Sequence, residues 1–144
     1  MKIVWFLCTV LWLLHCTAAD AEQRMSISAA EANIRSSPNA NADVLWKAEK
    51  YFPISVIKKT GEWYNFKDSE GDEGWVHQSL VGTAPCVITI KEKCNLRSEP
   101  KNDAKILFSV GPGIPFKVVK KDNKWLLVEH KDGDKGWIHD SLVW

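Results

Sequence analysis

The chain repeats itself. Asn33-Ile34-Arg35-Ser36-Ser37-Pro38 returns as Asn95-Leu96-Arg97-Ser98-Glu99-Pro100. Gly74-Trp75-Val76-His77-Gln78-Ser79-Leu80-Val81 returns as Gly136-Trp137-Ile138-His139-Asp140-Ser141-Leu142-Val143. Trp63 returns as Trp125, and each of these landmarks steps by 62 residues without a gap. A solenoid unit is shorter and cannot bury its own apolar face, so this period excludes a solenoid. It is long enough for a very small domain. The chain is read as one module used twice, and the positions kept in both copies mark what that module needs.

Ahead of the repeats lies a different kind of segment. Lys2 is followed by an apolar run from Ile3 to Leu14 that only Thr9 interrupts, and then by the small residues Thr17-Ala18-Ala19-Asp20-Ala21. That order reads as a secretory signal peptide over residues 1–21, cleaved after Ala19 or Ala21. The run is shorter than the ~20 residues a membrane-spanning helix needs. A lipid anchor at Cys16 would call for a small residue before it, where His15 stands. The expectation is an exported chain, periplasmic or extracellular, with no membrane span in its mature part.

Lys and Arg number 19 against 18 Asp and Glu, and the leader holds one of each sign. A near-neutral mature chain lacks the basic face that phosphate contacts require, which argues against nucleic acid as a partner. Of four cysteines only Cys86 and Cys94 lie beyond the leader, and neither has a counterpart in the first copy. An oxidising compartment permits a disulfide between them, worth at most about 2–3 kcal/mol for so short a loop. Two free thiols are the alternative, and the absence of a C-x-x-C spacing speaks against a redox pair.

Each copy is written in strand-like language. Ile54-Ser55-Val56-Ile57-Lys58 and Phe116-Lys117-Val118-Val119-Lys120 are rich in β-branched and aromatic residues. Trp63-Tyr64-Asn65-Phe66 alternates, as does Trp125-Leu126-Leu127-Val128. Gly61 and Asn123, and the segments 68–72 and 131–134, read as turns. No window carries a helical period; only Gln78-Ser79-Leu80 and Asp140-Ser141-Leu142 suggest a single tight 3₁₀ turn. The fold class is therefore all-β: two tandem small β-barrels, over 24–82 and 86–144. A barrel of this size is marginal alone, so the copies are expected to support each other across the short 82–85 linker.

Alternation sorts the candidate site residues. With Tyr64, Phe66 and Val76 facing the core, Trp63, Trp75 and His77 face outward; Trp125, Trp137 and His139 follow in the second copy. Outward Trp is a strong interface anchor and stacks on sugars and cations. Its structural counterpart is a Trp folded over a barrel end, and Trp75 and Trp137 fit that reading most closely. Arg35 and Arg97 either rim the sites or hold a loop through carbonyl hydrogen bonds. Two isolated histidines in separate repeats do not make a zinc site, and no cofactor is expected. Nucleophile–base pairs and repeated carboxylate pairs are missing, so the chain is not read as an enzyme. Asp132-Gly133-Asp134 lacks the ligand order of an EF-hand calcium loop.

The spaced motifs N-[IL]-R-S-x-P, a valine strand, a turn before Trp, and G-W-[VI] resemble the bacterial SH3-like (SH3b) domain. In the first copy they are Asn33, Ile34, Arg35, Ser36, Pro38, Val56, Trp63, Gly74, Trp75 and Val76; in the second, Asn95, Leu96, Arg97, Ser98, Pro100, Val118, Trp125, Gly136, Trp137 and Ile138. The resemblance implies SH3-like barrels that target envelope enzymes to peptidoglycan peptides. It extends to eukaryotic SH3 domains, but His77 stands where the proline of their polyproline groove would be and Leu80 where the tyrosine would be. The expected function is a non-catalytic envelope module that binds peptidoglycan peptides through aromatic clefts. The alternative is a protein–protein scaffold without cell-wall affinity.

Overall fold

The computed structural model describes residues 22–144, so the expected signal peptide lies outside the described residues. The first repeat contains β1 (Gln23–Ile27), β2 (Glu31–Arg35), β3 (Val44–Glu49), β4 (Pro53–Thr60), β5 (Trp63–Lys67), β6 (Glu73–His77) and β7 (Val81–Gly82). The second contains β8 (Cys86–Ile88), β9 (Cys94–Arg97), β10 (Ile106–Val110), β11 (Pro115–Asp122), β12 (Trp125–Glu129) and β13 (Lys135–His139). A 3₁₀ turn follows β6 at Gln78–Leu80 and β13 at Asp140–Leu142. These are the two places where the sequence suggests one.

Every pairing is antiparallel, and the two sheets have matching orders, β3-β2-β6-β5-β4-β1-β7 and β10-β9-β13-β12-β11-β8. The counterpart of β7 shrinks to a Thr89–Val143 bridge, and Ile88 and Trp144 exchange both backbone hydrogen bonds beside it. Each sheet wraps its own core. Met25, Ile27, Ala32, Ile34, Ala48, Ile54, Phe66 and Val76 form the first; Cys94, Leu96, Phe116, Leu126, Val128 and Ile138 form the second. Residues at spacing two along each strand supply these cores, as a pleated strand with one buried face requires.

Turn chemistry follows the sequence closely. β4 and β5 meet through a two-residue loop whose first residue, Gly61, has φ +59°; Asn123, at the same place between β11 and β12, has φ +52°. Asn is among the few side chains that enter the left-handed region readily, so the second copy keeps the turn without glycine. The loop before β6 is closed by Asp68 N–H donating to Asp72 O, and the loop before β13 by His130 N–H donating to Asp134 O.

The repeats touch. Ser26 Oγ donates to Ala84 O at 2.9 Å, the Arg24 guanidinium lies 3.5 Å from the centre of the Trp144 ring, and Lys131 pairs with Glu49. Burial lowers the Arg24 pKa, while the Glu49 carboxylate raises that of Lys131.

Of the two readings left open for the cysteines, the structure has both thiols free. Their directions explain it. Cys94 lies in the second core, fully buried, with its thiol donating to Lys91 O at 3.5 Å. Cys86 sits on β8 beside Ser26 of the first repeat, while the next residue, Val87, packs against the second core instead. Burial is the leading cause that pushes both thiols above their ordinary range. A thiol pKa raised by folding favours the protonated form, so its contribution holds below that range and stability falls as pH rises through it. A thiol-reactive disulfide reagent at neutral pH is expected to label Cys94 only after unfolding; fast labelling in the folded protein would contradict this placement.

Candidate functional site

The same constellation occurs once in each repeat. Trp63 opens β5 and His77 ends β6, directly opposite in register; Trp125 and His139 do the same on β12 and β13. The rings meet edge to face. Their centroids are 5.2 Å apart in both copies, at 84° in the first and 89° in the second. Aromatic rings favour such edge-to-face contact because a ring's positive edge meets its neighbour's negative face.

Each imidazole is fixed from below. His77 Nδ1 accepts the Ser79 N–H at 3.3 Å and lies 2.7 Å from Ser79 Oγ; His139 Nδ1 makes the matching contacts to Ser141 at 3.2 and 2.7 Å. The histidines thereby cap the two 3₁₀ turns, and the backbone N–H assigns the acceptor role to Nδ1. The Nε2 side is left to face outward, where Glu62 Oε2 lies 3.5 Å from it in the first copy.

Strands β2 and β9 supply the remaining wall. Asn33, Arg35, Ala40, Trp63, His77 and Leu80 line a cleft of about 190 Å³. In the second copy Lys93, Asn95, Arg97, Asn102, Trp125 and His139, with Ser141 and Leu142, line one of about 420 Å³. Arg35 Nη1 donates to Ala42 O at 2.8 Å and Arg97 Nη1 to Ala104 O at 2.9 Å. Each arginine thus holds the loop after its strand while presenting part of its side chain to the cleft.

Six of the eight residues singled out in the sequence are therefore gathered in threes: Arg35, Trp63 and His77 in one cleft, Arg97, Trp125 and His139 in the other. Trp75 and Trp137 are half-buried on the adjoining strands, in register with Arg35 and Arg97, and are not among the residues lining the clefts. Trp75 has the Lys58 ammonium 5.6 Å from its ring centre.

Two concavities escape single-copy sequence reading. One, of about 330 Å³, lies between the repeats, with Phe52 and Glu70 on one side and Ile88, Ile90 and Pro112 on the other. The second, of about 250 Å³, is lined by Phe108, Val110, Ile114 and Phe116, with His130, Asp132 and Asp134 at its polar edge. Trp46 occupies the first-copy position of Phe108 and packs edge-on against Phe66. The signal for this pocket was the Trp46/Phe108 difference between copies. Among the described residues no three His, Cys, Asp or Glu side chains are grouped as metal ligands, and no helix is long and apolar enough to cross a membrane.

Comparison with known proteins returns the same duplication. The family model "Bacterial SH3 domain" matches residues 28–82 and again 91–144. A Bacillus subtilis (strain 168) protein named "Putative N-acetylmuramoyl-L-alanine amidase YrvJ" is 23% identical over 138 residues, which is 88% of this chain and 26% of that protein. The chain thus spans about a quarter of that relative's length. Among solved structures, NlpC1 from Trichomonas vaginalis aligns at TM-score 0.38 with 8% identity, over 88% of this chain and 47% of that one. An NlpC/P60 family protein from Bacillus cereus ATCC 10987 aligns at TM-score 0.37 with 17% identity, over 84% and 55%. With the family model covering both repeats and nearly all of the described residues, the chain belongs to the bacterial SH3 domain family, as a tandem pair.

Proposed function

We propose that the chain is an exported, non-catalytic cell-envelope module of two SH3-like barrels, over 24–82 and 86–144, that binds peptidoglycan peptides in its two Trp–His clefts. One observation carries the reading: an identical edge-to-face Trp–His pair, walled by Asn and Arg, is built at the same place in both repeats. A half-buried Trp held against a His that caps a 3₁₀ turn loses little entropy on binding and offers a stacking face. The amidase named among its relatives supports the cell wall as the setting. Two weak sites on one chain gain strength on a polymer through effective concentration.

The test is retention on purified murein sacculi. The protein is expected to be retained, Trp63→Ala or Trp125→Ala to lower retention, and the double variant to abolish it with its fold intact by circular dichroism. A mature protein that stays in solution at low and moderate salt sinks the reading. The Phe108 pocket, on the second repeat, favours a second reading: a scaffold that docks an envelope protein through that pocket. Absence of retention on sacculi, together with crosslinking to an envelope protein that Phe108→Ala loses and the double Trp variant keeps, would select it.

A further inference from the structure

Because the two clefts share one frame, whatever distinguishes them is written in the positions where the copies differ. Glu62 stands beside His77 on the first rim, and Lys124 occupies its place on the second. The frame holds there, since Glu62 O accepts the Gln78 N–H and Lys124 O the Asp140 N–H, both at 2.8 Å. Glu31, at the flank of the first cleft, is neutralised by Lys47 at 2.9 Å. Its counterpart Lys93 lines the second cleft, and Ser109 stands where Lys47 would have to be. Ser109 Oγ lies 2.6 Å from Asn95 Oδ1, which turns the Asn95 amide group to other partners. Among the described residues Lys93 makes no ion pair.

Two changes run the other way. Asp140 replaces Gln78, with Oδ1 3.5 Å from His139 Nδ1, and Ser109 itself removes a lysine. Glu62 to Lys124 and Glu31 to Lys93 each add two positive charges, and Gln78 to Asp140 and Lys47 to Ser109 each remove one. Over these four positions the second copy is therefore more positive by two charges, and Lys93 is the one of them that lines its cleft. That cleft is also the larger in volume, and Asn102 adds an amide donor where the first has Ala40.

We propose that the second cleft is a carboxylate site: it holds the free C-terminal carboxylate of a short peptide between Lys93 and the Asn95 and Asn102 amides, with the apolar part of that peptide against Trp125. The first cleft, with Glu62 at its rim, makes no such selection. The inference rests on the peptide-binding reading above and names which repeat reads the chain end. Exposed lysine–carboxylate pairs are worth up to about 1 kcal/mol each, or roughly fivefold in affinity. The acid is thus expected to bind about fivefold to twentyfold better than its amide.

The experiment uses the two-repeat protein labelled with ¹⁵N in its tryptophan indoles. N-acetyl-dialanine of D configuration, its C-terminal amide, and inorganic phosphate are titrated separately. The acid is expected to move the Trp125 signal at several-fold lower concentration than the amide, with a preference that shrinks as salt is added. The Trp63 signal is expected to treat acid and amide alike. Lys93→Gln with Lys124→Gln should erase the preference while leaving the indole spectrum dispersed. Equal responses to acid and amide at Trp125, a preference at Trp63 instead, or no response at Trp125 overturns the proposal. Phosphate acting as strongly as the acid overturns the carboxylate assignment in favour of an anion site. Retention on sacculi without a Trp125 preference sinks this inference alone, and a Trp125 preference without retention sinks the cell-wall reading alone.

Discussion

Phe66→Val is expected to cost about 2–3 kcal/mol and Ile54→Phe about 1–3 kcal/mol, yet the double variant should return to within about 1.5 kcal/mol of the starting protein. The reason lies in how the two cores divide their volume. At the fully buried pair 54 and 66 the first repeat has Ile and Phe; at the corresponding 116 and 128 the second has Phe and Val, also fully buried. Each core holds one large ring at this pair, carried by β5 in the first and by β11 in the second. Interiors packed to crystal-like density tolerate volume-conserving exchange far better than gain or loss at one site. Phe66→Val opens a cavity beside Trp46, which packs on the ring at a centroid distance of 6.2 Å. Ile54→Phe places a second ring where there is room for one. Together they place in the first repeat the Phe and Val that the second carries at this pair. Equilibrium denaturation of the four chains gives the coupling directly, and simple additivity of the two single costs would sink the idea.

That exchange also shows why the fold was legible from sequence. Richness in β-branched and aromatic residues marks β4 and β11, period-two alternation marks β5 and β12, and the fixed step of 62 residues lets each copy check the other. Where one copy was ambiguous the other often was not. Tyr51 occupies the left-handed region at φ +73°, which nothing in its chemistry announces, but its counterpart Gly113 has φ +83°. The alternation that turns Tyr64 and Phe66 to the core puts Asn65 on the opposite side; it is buried all the same, its amide donating to Gly74 O at 3.2 Å. Alternation reports which side of a strand a residue takes, and says nothing of what packs over that side.

The site was legible in part, for a related reason. Outwardness placed Trp63, Trp75 and His77 on one face, and the register between β5 and β6 then decided which of them meet. Only the three-dimensional pairing brings Trp63 onto His77 and leaves Trp75 beside Arg35. The charge reversal between clefts was present in the sequence as Glu62/Lys124 and Glu31/Lys93. It carries meaning only once the turn contacts set Glu62 and Lys124 beside the two histidines and the fold brings Lys93 into the lining of the second cleft. The cysteines were undecided for want of direction: one faces a core and the other the neighbouring repeat, and spacing along the chain does not encode that.

Gly74→Ala is expected to destabilise the first repeat by about 1–3 kcal/mol, towards the upper end, and Gly136→Ala the second by less. Neither glycine is needed for an unusual backbone angle; both are needed for closeness. A methyl on Gly74 would overlap Ile34 Cγ2 and come within 3.2 Å of Trp46 Cη2. Ile34 is fully buried and β-branched, so its Cγ2 cannot swing aside at χ1 without leaving the core. A methyl on Gly136 meets Leu96 Cβ at 2.9 Å, a tight approach that a small strand shift relieves. The cost therefore falls unequally although the motif is the same. If overlap with Ile34 is the cause, Gly74→Ala should cost less in an Ile34→Ala background than in the native one; equal costs would remove the explanation. The consequence reaches the site, because Gly74 lies on β6 three residues before His77. Backing β6 away from β2 to admit the methyl shifts the strand that holds His77 against Trp63. The Trp63 indole signal is expected to move in Gly74→Ala while the Trp125 signal stays, which ties the repeated glycine to the geometry of the cleft as well as to the stability of the core.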